Sequence, residues 1–83
     1  MSVQHWSAAP GQGAFAIAPS DSTDLTRPVR AIYVGVSGDI SVNTLDGDLA
    51  IVFTAVPQGT ILPVCAKRVK TTGTTATNLV GLT

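Results

Sequence analysis

Two turn signals divide residues 29–56 into three short apolar runs, and no other stretch limits the possible folds of the chain as strongly. The second signal, Asp46-Gly47, lies between alternating runs, which is typical of a β-hairpin with a two-residue type I′ loop. Such a loop sets large apolar residues of the two strands opposite each other, in the pairs Val42–Ile51 and Ile40–Phe53. These residues then share one face, whereas Ser41 and Asn43 lie on the opposite face.

The first signal, Ser37-Gly38-Asp39, fits a three-residue hairpin loop that contains glycine. With this loop, the apolar face gains three residues of the first run: Ile32, Val34 and Val36. We therefore predict a three-stranded antiparallel meander with one buried face. The reverse side of the meander is semi-apolar and carries Ala31, Tyr33, Gly35, Ala50 and Val52.

Apolar runs on both sides of the meander also fit strands. Ala14–Ala18 precedes the meander, and Thr60–Lys70 follows a turn at Pro57-Gln58-Gly59. Pro63 has no N–H to donate, so its strand lies at a sheet edge or is bulged there.

A last strand, Ala76–Leu82, folds back around Gly73 in this interpretation and sets Ala66 opposite Val80. The chain then has about six short strands and no helical period, which is typical of an all-β fold. We predict a small antiparallel β-sandwich or barrel, jelly-roll-like in form. Residues 14–83 form its single β-domain, and Met1–Gly13, which has no period, forms an extended N-terminal arm that a partner orders.

The composition favours a subunit of an assembly. The chain has 83 residues, no net charge and no Glu, and 45% of its residues are hydrophobic. Such a neutral, charge-poor chain suits a subunit that neighbours cover. Without clustered Lys and Arg we expect no binding to nucleic acid, and without an apolar run of ~18 residues we expect no membrane span.

Side chains for catalysis are scarce, because the chain has one His, one Cys and no Glu. We interpret Cys65 as a small buried hydrophobic residue, and its lack of a disulfide partner fits assembly in a reducing cytoplasm. Asp46 and Asp48 lack the further ligands of a calcium loop, and His5 stands alone, so we expect no metal site. We predict a protein that is not an enzyme and uses no cofactor.

A resemblance to a known family rests on four segments, which are AIYVGVSGDISVNTLDGD at Ala31–Asp48, VPQGTILPV at Val56–Val64, KRV at Lys67–Val69 and TGTTAT at Thr72–Thr77. In this order they resemble the head-spike base proteins of alphaproteobacterial gene transfer agents (GTAs) and related tailed phages. The resemblance spans about Leu25–Leu82, which is most of the chain.

The resemblance implies a structural role in a virion assembled in the bacterial cytoplasm. A head-spike base is a ring at a capsid vertex, and a pentamer would match the five-fold vertex. Its partners would be other copies of itself, the major capsid protein and the head-spike fibre protein, which attaches to the surface of the recipient cell.

Six residues are candidates for interfaces: His5, Trp6, Phe15, Tyr33, Ala50 and Val52. The first three are bulky residues on or just beyond the arm, where we expect a capsid or ring neighbour to bind. Tyr33 is the best single anchor, because tyrosine is favoured in interface cores. The alternative function is a small carbohydrate-binding β-module that contacts cell-surface glycan directly through Trp6 or Tyr33.

Overall fold

The computed structural model describes residues 12–83, which form seven β-strands and no helix. The strands are β1 (Ala14–Ala16), β2 (Ala31–Val36), β3 (Gly38–Thr44), β4 (Ile51–Val56), β5 (Ile61–Leu62), β6 (Ala66–Lys70) and β7 (Thr77–Leu82). They form a four-stranded sheet in the order β1-β7-β2-β5 and a three-stranded sheet in the order β4-β3-β6. All pairings are antiparallel, so the predicted all-β sandwich is confirmed. Within the described residues no helix is long and apolar enough to cross a membrane.

The core lies between the two sheets and consists of aliphatic side chains. Both sheets contribute residues that are at most 1% exposed: Ile32 and Val34 from β2, Ile40 and Val42 from β3, and Val69 from β6. Full burial of each such side chain contributes about 1.5–3 kcal/mol. The prediction that the central apolar residues exclude water together is confirmed for Ile32, Val34, Ile40 and Val42, which do so from two layers. It is wrong for Val36 and Ile51, which are 40% and 42% exposed.

The predicted hairpin between β2 and β3 is wrong, because the two strands belong to different sheets. The chain crosses from one sheet to the other at Ser37. Gly38 permits a close approach there, since a Cβ on it would lie 2.5 Å from the backbone nitrogen of Ala76. Val36, predicted to be buried, is the last residue before the crossing and is 40% exposed.

The predicted register of the β3–β4 hairpin is confirmed, with Ile40 opposite Phe53 and Val42 opposite Ile51. The two-residue type I′ loop is wrong. The N–H of Thr44 donates to the carbonyl of Asp48 over 2.9 Å, which encloses three loop residues. Among them only Gly47 has a positive φ, 108°, so the loop has a single left-handed position.

The outer face of β3 is covered, although we predicted it to be exposed. Ser41 is 1% exposed and Asn43 is 5% exposed. The β6–β7 loop lies over Ser41, whose N–H donates to Oγ1 of Thr74 over 2.9 Å. Ser41 and Asn43 are therefore covered by the rest of the domain and do not face water.

Thr60–Lys70 is divided in two at Pro63, which explains why residues 12–83 form seven strands and not about six. β5 pairs with β2, whereas β6 pairs with β3 in the other sheet. A tight turn, in which the N–H of Val64 donates to the carbonyl of Leu62 over 2.9 Å, starts the crossing. Both β5 and β6 lie at sheet edges, as we predicted for the strand with Pro63.

The predicted pairing of the last two strands is also wrong. β7 lies between β1 and β2, and Val80 is opposite Tyr33 and Ala16. Ala66 forms an isolated bridge with Val29 instead. The loop around Gly73 exists as predicted, but it carries the chain across to the other sheet.

Candidate interaction surfaces

Large exposed apolar side chains lie beside the free edges of two strands. Six of them define what we call the open side: Tyr33 (40% exposed), Leu45 (55%), Leu49 (69%), Ile51 (42%), Val52 (48%) and Ile61 (57%). They belong to β2, β4, β5 and the β3–β4 loop. Tyr33 and Ile61 are cross-strand partners, and Ile51 and Val52 are consecutive on β4, so four of the six residues form two contiguous exposed apolar pairs. Contiguous exposed apolar residues mark interaction sites more often than residues scattered singly.

The free edges of β4 and β5 lie on the same side of the sandwich. Each strand is the last in its sheet, and a four-residue turn joins them. In this turn the N–H of Thr60 donates to the carbonyl of Pro57 over 3.2 Å, and Gly59 has a φ of 83°, which confirms the predicted turn. The N–H of Leu45 donates to the carbonyl of Cys65 over 2.9 Å and holds the β3–β4 loop beside β5.

Within residues 12–83, the backbone groups of Val52 at the outward edge of β4 have no partner. The N–H of Ser41 donates to Thr74, on the side of β3 that faces away from β4. Since backbone groups alternate in direction along a strand, Ile40 and Val42 bond to β4, and their partners Phe53 and Ile51 bond back. The N–H and carbonyl of Val52 therefore point away from β3, along the open side.

Two β-bulges frame this part of β4. Asn43 and Asp39 of β3 each lie opposite two residues of the facing segment and not one. Asn43 faces Leu49 and Ala50, and Asp39 faces Thr54 and Ala55. The second bulge residue is an alanine with positive φ in both cases, 51° for Ala50 and 55° for Ala55. Bulges are typical of sheet edges, where they limit uncontrolled strand pairing.

A polar side chain of β3 binds each bulge. Oδ1 of Asn43 accepts a hydrogen bond from the N–H of Ala50 over 2.9 Å, and Oδ1 of Asp39 accepts one from the N–H of Ala55 over 2.8 Å. A positive φ costs an L-residue about 1–2 kcal/mol, and these bonds offset part of that cost. We did not predict this role; Asp39 and Asn43 lie four residues apart on one strand, and this even spacing is the signal that could have indicated it.

The opposite side of the sandwich is closed by the segment 17–27, which we call the link. The N–H of Ser20 donates to the carbonyl of Val69, and the N–H of Leu25 donates to that of Lys67, over 2.9 and 2.8 Å. The link thus covers the edge of β6 with hydrogen bonds. We find no such cover on β4 within residues 12–83.

Two carboxylates fix the link to the sheet. Asp21 accepts hydrogen bonds from the N–H and the hydroxyl of Thr72 over 3.0 and 2.7 Å, and these bonds lower the pKa of Asp21 from 3.8. Asp24 forms an ion pair with Arg68 at 2.7 Å. Asp21 therefore binds both a backbone N–H and a hydroxyl, whereas the partner of Asp24 is a side chain.

A groove of about 600 Å³ lies between β1 and the link. We call it the link groove, and its lining includes Phe15, Ala16, Ala18, Pro19, Leu25 and Arg27. The other lining residues, Ser20, Thr23, Asp24 and Thr26, are polar or charged, so the groove is apolar mainly on the side of β1. The guanidinium of Arg27 lies 5.5 Å from the centre of the Phe15 ring, where cation and ring attract each other.

The predicted interface residues are divided between these surfaces. Phe15 is half-buried in the link groove, and Tyr33, Ala50 and Val52 are exposed near the open side. The prediction that the last three share one face of one sheet is wrong, because Tyr33 belongs to the four-stranded sheet and Val52 to the three-stranded sheet. The open side therefore wraps around the edge of the sandwich. His5 and Trp6 lie outside the described residues.

Cys65 is exposed, and the prediction that it is buried is wrong. Cys65 is the last residue of the short connection from β5 to β6, which runs along the surface from one sheet to the other. Within the part of the chain that the structure describes, no group of three or more His, Cys, Asp or Glu residues is placed to hold a metal ion.

Comparison with solved structures finds a related chain in the capsid of a native GTA particle computed with C5 symmetry. The two chains are 38% identical and superpose with a TM-score of 0.81. The match covers 96% of this chain and 92% of that chain. No protein-family profile matches the sequence, and no curated protein does.

Proposed function

Since the chain belongs to the family of this GTA particle chain, and is a structural virion protein, we propose that it forms the base of a head spike at the capsid vertices. The observation that carries the proposal is the match over nearly the whole length of both chains to a component of a capsid with C5 symmetry. The four sequence segments that resemble head-spike base proteins point to the same role.

In this role the chain forms a ring of five copies on each vertex. The ring binds the major capsid protein below it and the head-spike fibre protein above it. The fibre attaches to the surface of the recipient cell. The ring holds the fibre on the capsid and does not itself bind the cell. The predicted arm, residues 1–13, reaches a capsid or ring neighbour through the part before Gln12, because Gln12 and Gly13 pair with Thr83 of the β-domain.

The surface of the domain supports a role in assembly. Its open side carries six large exposed apolar side chains, and β4, which has no charged residue, lacks the link that covers β6. A lone soluble domain commonly avoids such an edge, because it can pair with other chains. In a ring, neighbouring subunits cover it.

Tyr33 favours protein contact over the alternative of direct glycan binding. Its cross-strand partners are Ile61 and Val80, so the ring lies among aliphatic side chains. A sugar site needs hydrogen-bonding groups around the aromatic ring. A glycan array with the isolated protein separates the two functions, and we expect no specific binding.

The decisive experiment compares particles from cells with and without this protein by cryo-electron microscopy, with C5 symmetry applied at the vertices. We expect the particles that lack it to lose a density at the vertex together with the fibre above it. Expression of the full chain from a plasmid should restore both. Loss of density at the tail or at the six-fold positions, with intact vertices, would contradict the proposal.

A further inference from the structure

We infer that copies of this chain contact each other head to tail, with the open side of one copy docked in the link groove of the next. The inference rests on the proposed ring and names the two surfaces that form its contact. A cyclic ring is closed by heterologous contacts, in which two different surfaces of the same chain meet. The domain therefore needs two complementary surfaces that do not coincide.

The two surfaces adjoin different edge strands of each sheet. The open side includes β4 and β5, which are the last strands at one end of each sheet. The link groove adjoins β1, and the link covers β6; these are the strands at the other ends. One copy can therefore use both surfaces at the same time, each with a different neighbour.

The surfaces also match in polarity. The open side presents aliphatic side chains, such as Leu49, Val52 and Ile61, to the outside. The link groove is concave, and Phe15, Ala16 and Ala18 give it an apolar area beside β1. Docking would remove both apolar areas from water, which favours association in proportion to the area buried.

Charges beside the two surfaces are opposite in sign. Asp46 and Asp48 are exposed in the loop that carries Leu45 and Leu49, whereas Arg27 is exposed at the link groove. Asp24 also lines the link groove, but it is paired with Arg68 in the only ion pair within residues 12–83, so Arg27 leaves the groove with a net positive charge. Complementary charges at the rim of an apolar contact steer association and fix its register.

One variant on each surface tests the inference. Val52→Glu places a charge on the open side, and Ala18→Glu places a charge of the same sign in the link groove. We expect each purified variant to associate with itself about tenfold more weakly than the wild type, or not at all, in analytical ultracentrifugation. An equimolar mixture should form a dimer with one copy of each, because each variant keeps the surface that the other needs.

Controls separate this contact from other causes. The double variant Val52→Glu/Ala18→Glu keeps neither surface and should stay monomeric. Ser37→Glu adds the same charge at the crossing between the sheets, outside both surfaces, and should assemble like the wild type. Circular dichroism and thermal melting check that each variant is folded, and Leu49→Glu, in the β3–β4 loop, replaces Val52→Glu if that variant unfolds.

Three results would overturn the inference: a wild type that stays monomeric at every concentration, single variants that assemble like the wild type, or a mixture that forms no dimer. None of them bears on the position of the protein in particles. If vertex density depends on this protein while the variants still assemble, the proposed function stands and the named surfaces are wrong. If vertex density persists without it, the proposed function fails, whatever the variants do.

Discussion

Oδ1 of Asn43 accepts a hydrogen bond from the backbone N–H of Ala50, 2.9 Å away across the β3–β4 hairpin. Asn43 is 5% exposed, and Ala50 has a positive φ of 51°. A buried side chain thus holds an alanine in a conformation that alanine disfavours. Because the bulge at Ala50 sets the start of β4, this bond also places the first residues of the open side.

Asn43→Ala should lower the free energy of unfolding by about 1–3 kcal/mol, since it leaves a backbone N–H without its acceptor. Ala50→Gly should relieve the strain of the positive φ, so the loss caused by Asn43→Ala should be smaller in that background. Urea denaturation of the two single variants and the double variant measures this coupling. Additive effects would show that the bond and the strain are independent.

Gly38→Ala should be far more destabilising than Gly47→Ala. A Cβ at position 38 would lie 2.5 Å from the backbone nitrogen of Ala76, and the backbone there cannot easily move. We expect a loss of about 1–3 kcal/mol or more, as for other overpacked sites. Position 47 has open space, so its cost comes from the φ of 108° alone. Thermal melting ranks the two variants, and equal losses would contradict the proposed close approach.

Asp21 should contribute stability that depends on pH. Its folded-state pKa lies below 3.8, because Thr72 donates two hydrogen bonds to the carboxylate. The contribution is therefore complete above the unfolded-state pKa and is lost as the pH falls through the folded-state pKa. The thermal midpoints of wild type and Asp21→Asn should converge as the pH falls below about 4. A constant difference across the pH series would contradict this role.

Tyr33→Ala should weaken self-association more than it destabilises the fold, because the side chain is 40% exposed on the outer face of its sheet. Tyr33→Phe, which keeps the ring and removes the hydroxyl, is the matched control and should assemble normally. Light scattering reports the size of the assembly, and melting reports the fold. An unchanged assembly of Tyr33→Ala would exclude this residue as an anchor.

Deletion of residues 1–11 should leave the domain folded and abolish incorporation into particles. The cut is placed before Gln12, whose N–H donates to the carbonyl of Thr83 over 2.7 Å, so that this pairing is kept. Melting of the truncated protein tests the fold, and immunoblots of purified particles test incorporation. Full incorporation would show that the arm, with His5 and Trp6, has no essential contact.

Local pattern was enough to predict the fold class and the register of one hairpin, but not which sheet each strand joins. The register of β3 and β4 followed from alternation, because a shift by one residue would expose Ile40 and Val42. Ser37-Gly38, in contrast, fits both a turn and a crossing, and the choice depends on Ala76, which is far away in the chain. A close contact between residues far apart in the chain, such as Gly38 and Ala76, leaves no signal in the local sequence.

The interaction surfaces were only partly predictable for the same reason. We correctly expected Tyr33 and Val52 to face outward, but we wrongly placed them on the same sheet. The link groove arises where the link packs against the sheets, through contacts such as the hydrogen bond from Leu25 to Lys67. Cys65 is exposed because of where the crossing passes, which its apolar neighbours did not indicate.

Strand β7 lies between β1 and β2, although about sixty residues separate β1 from β7 in the chain. A ribosome that has released β1 to β6 has therefore released no complete four-stranded layer. The layer closes only when residues 77–82 emerge and insert between the two earlier strands. Folding during synthesis must wait for that insertion, and until then the apolar inner faces of β1 and β2 are open to chaperones and to other nascent chains.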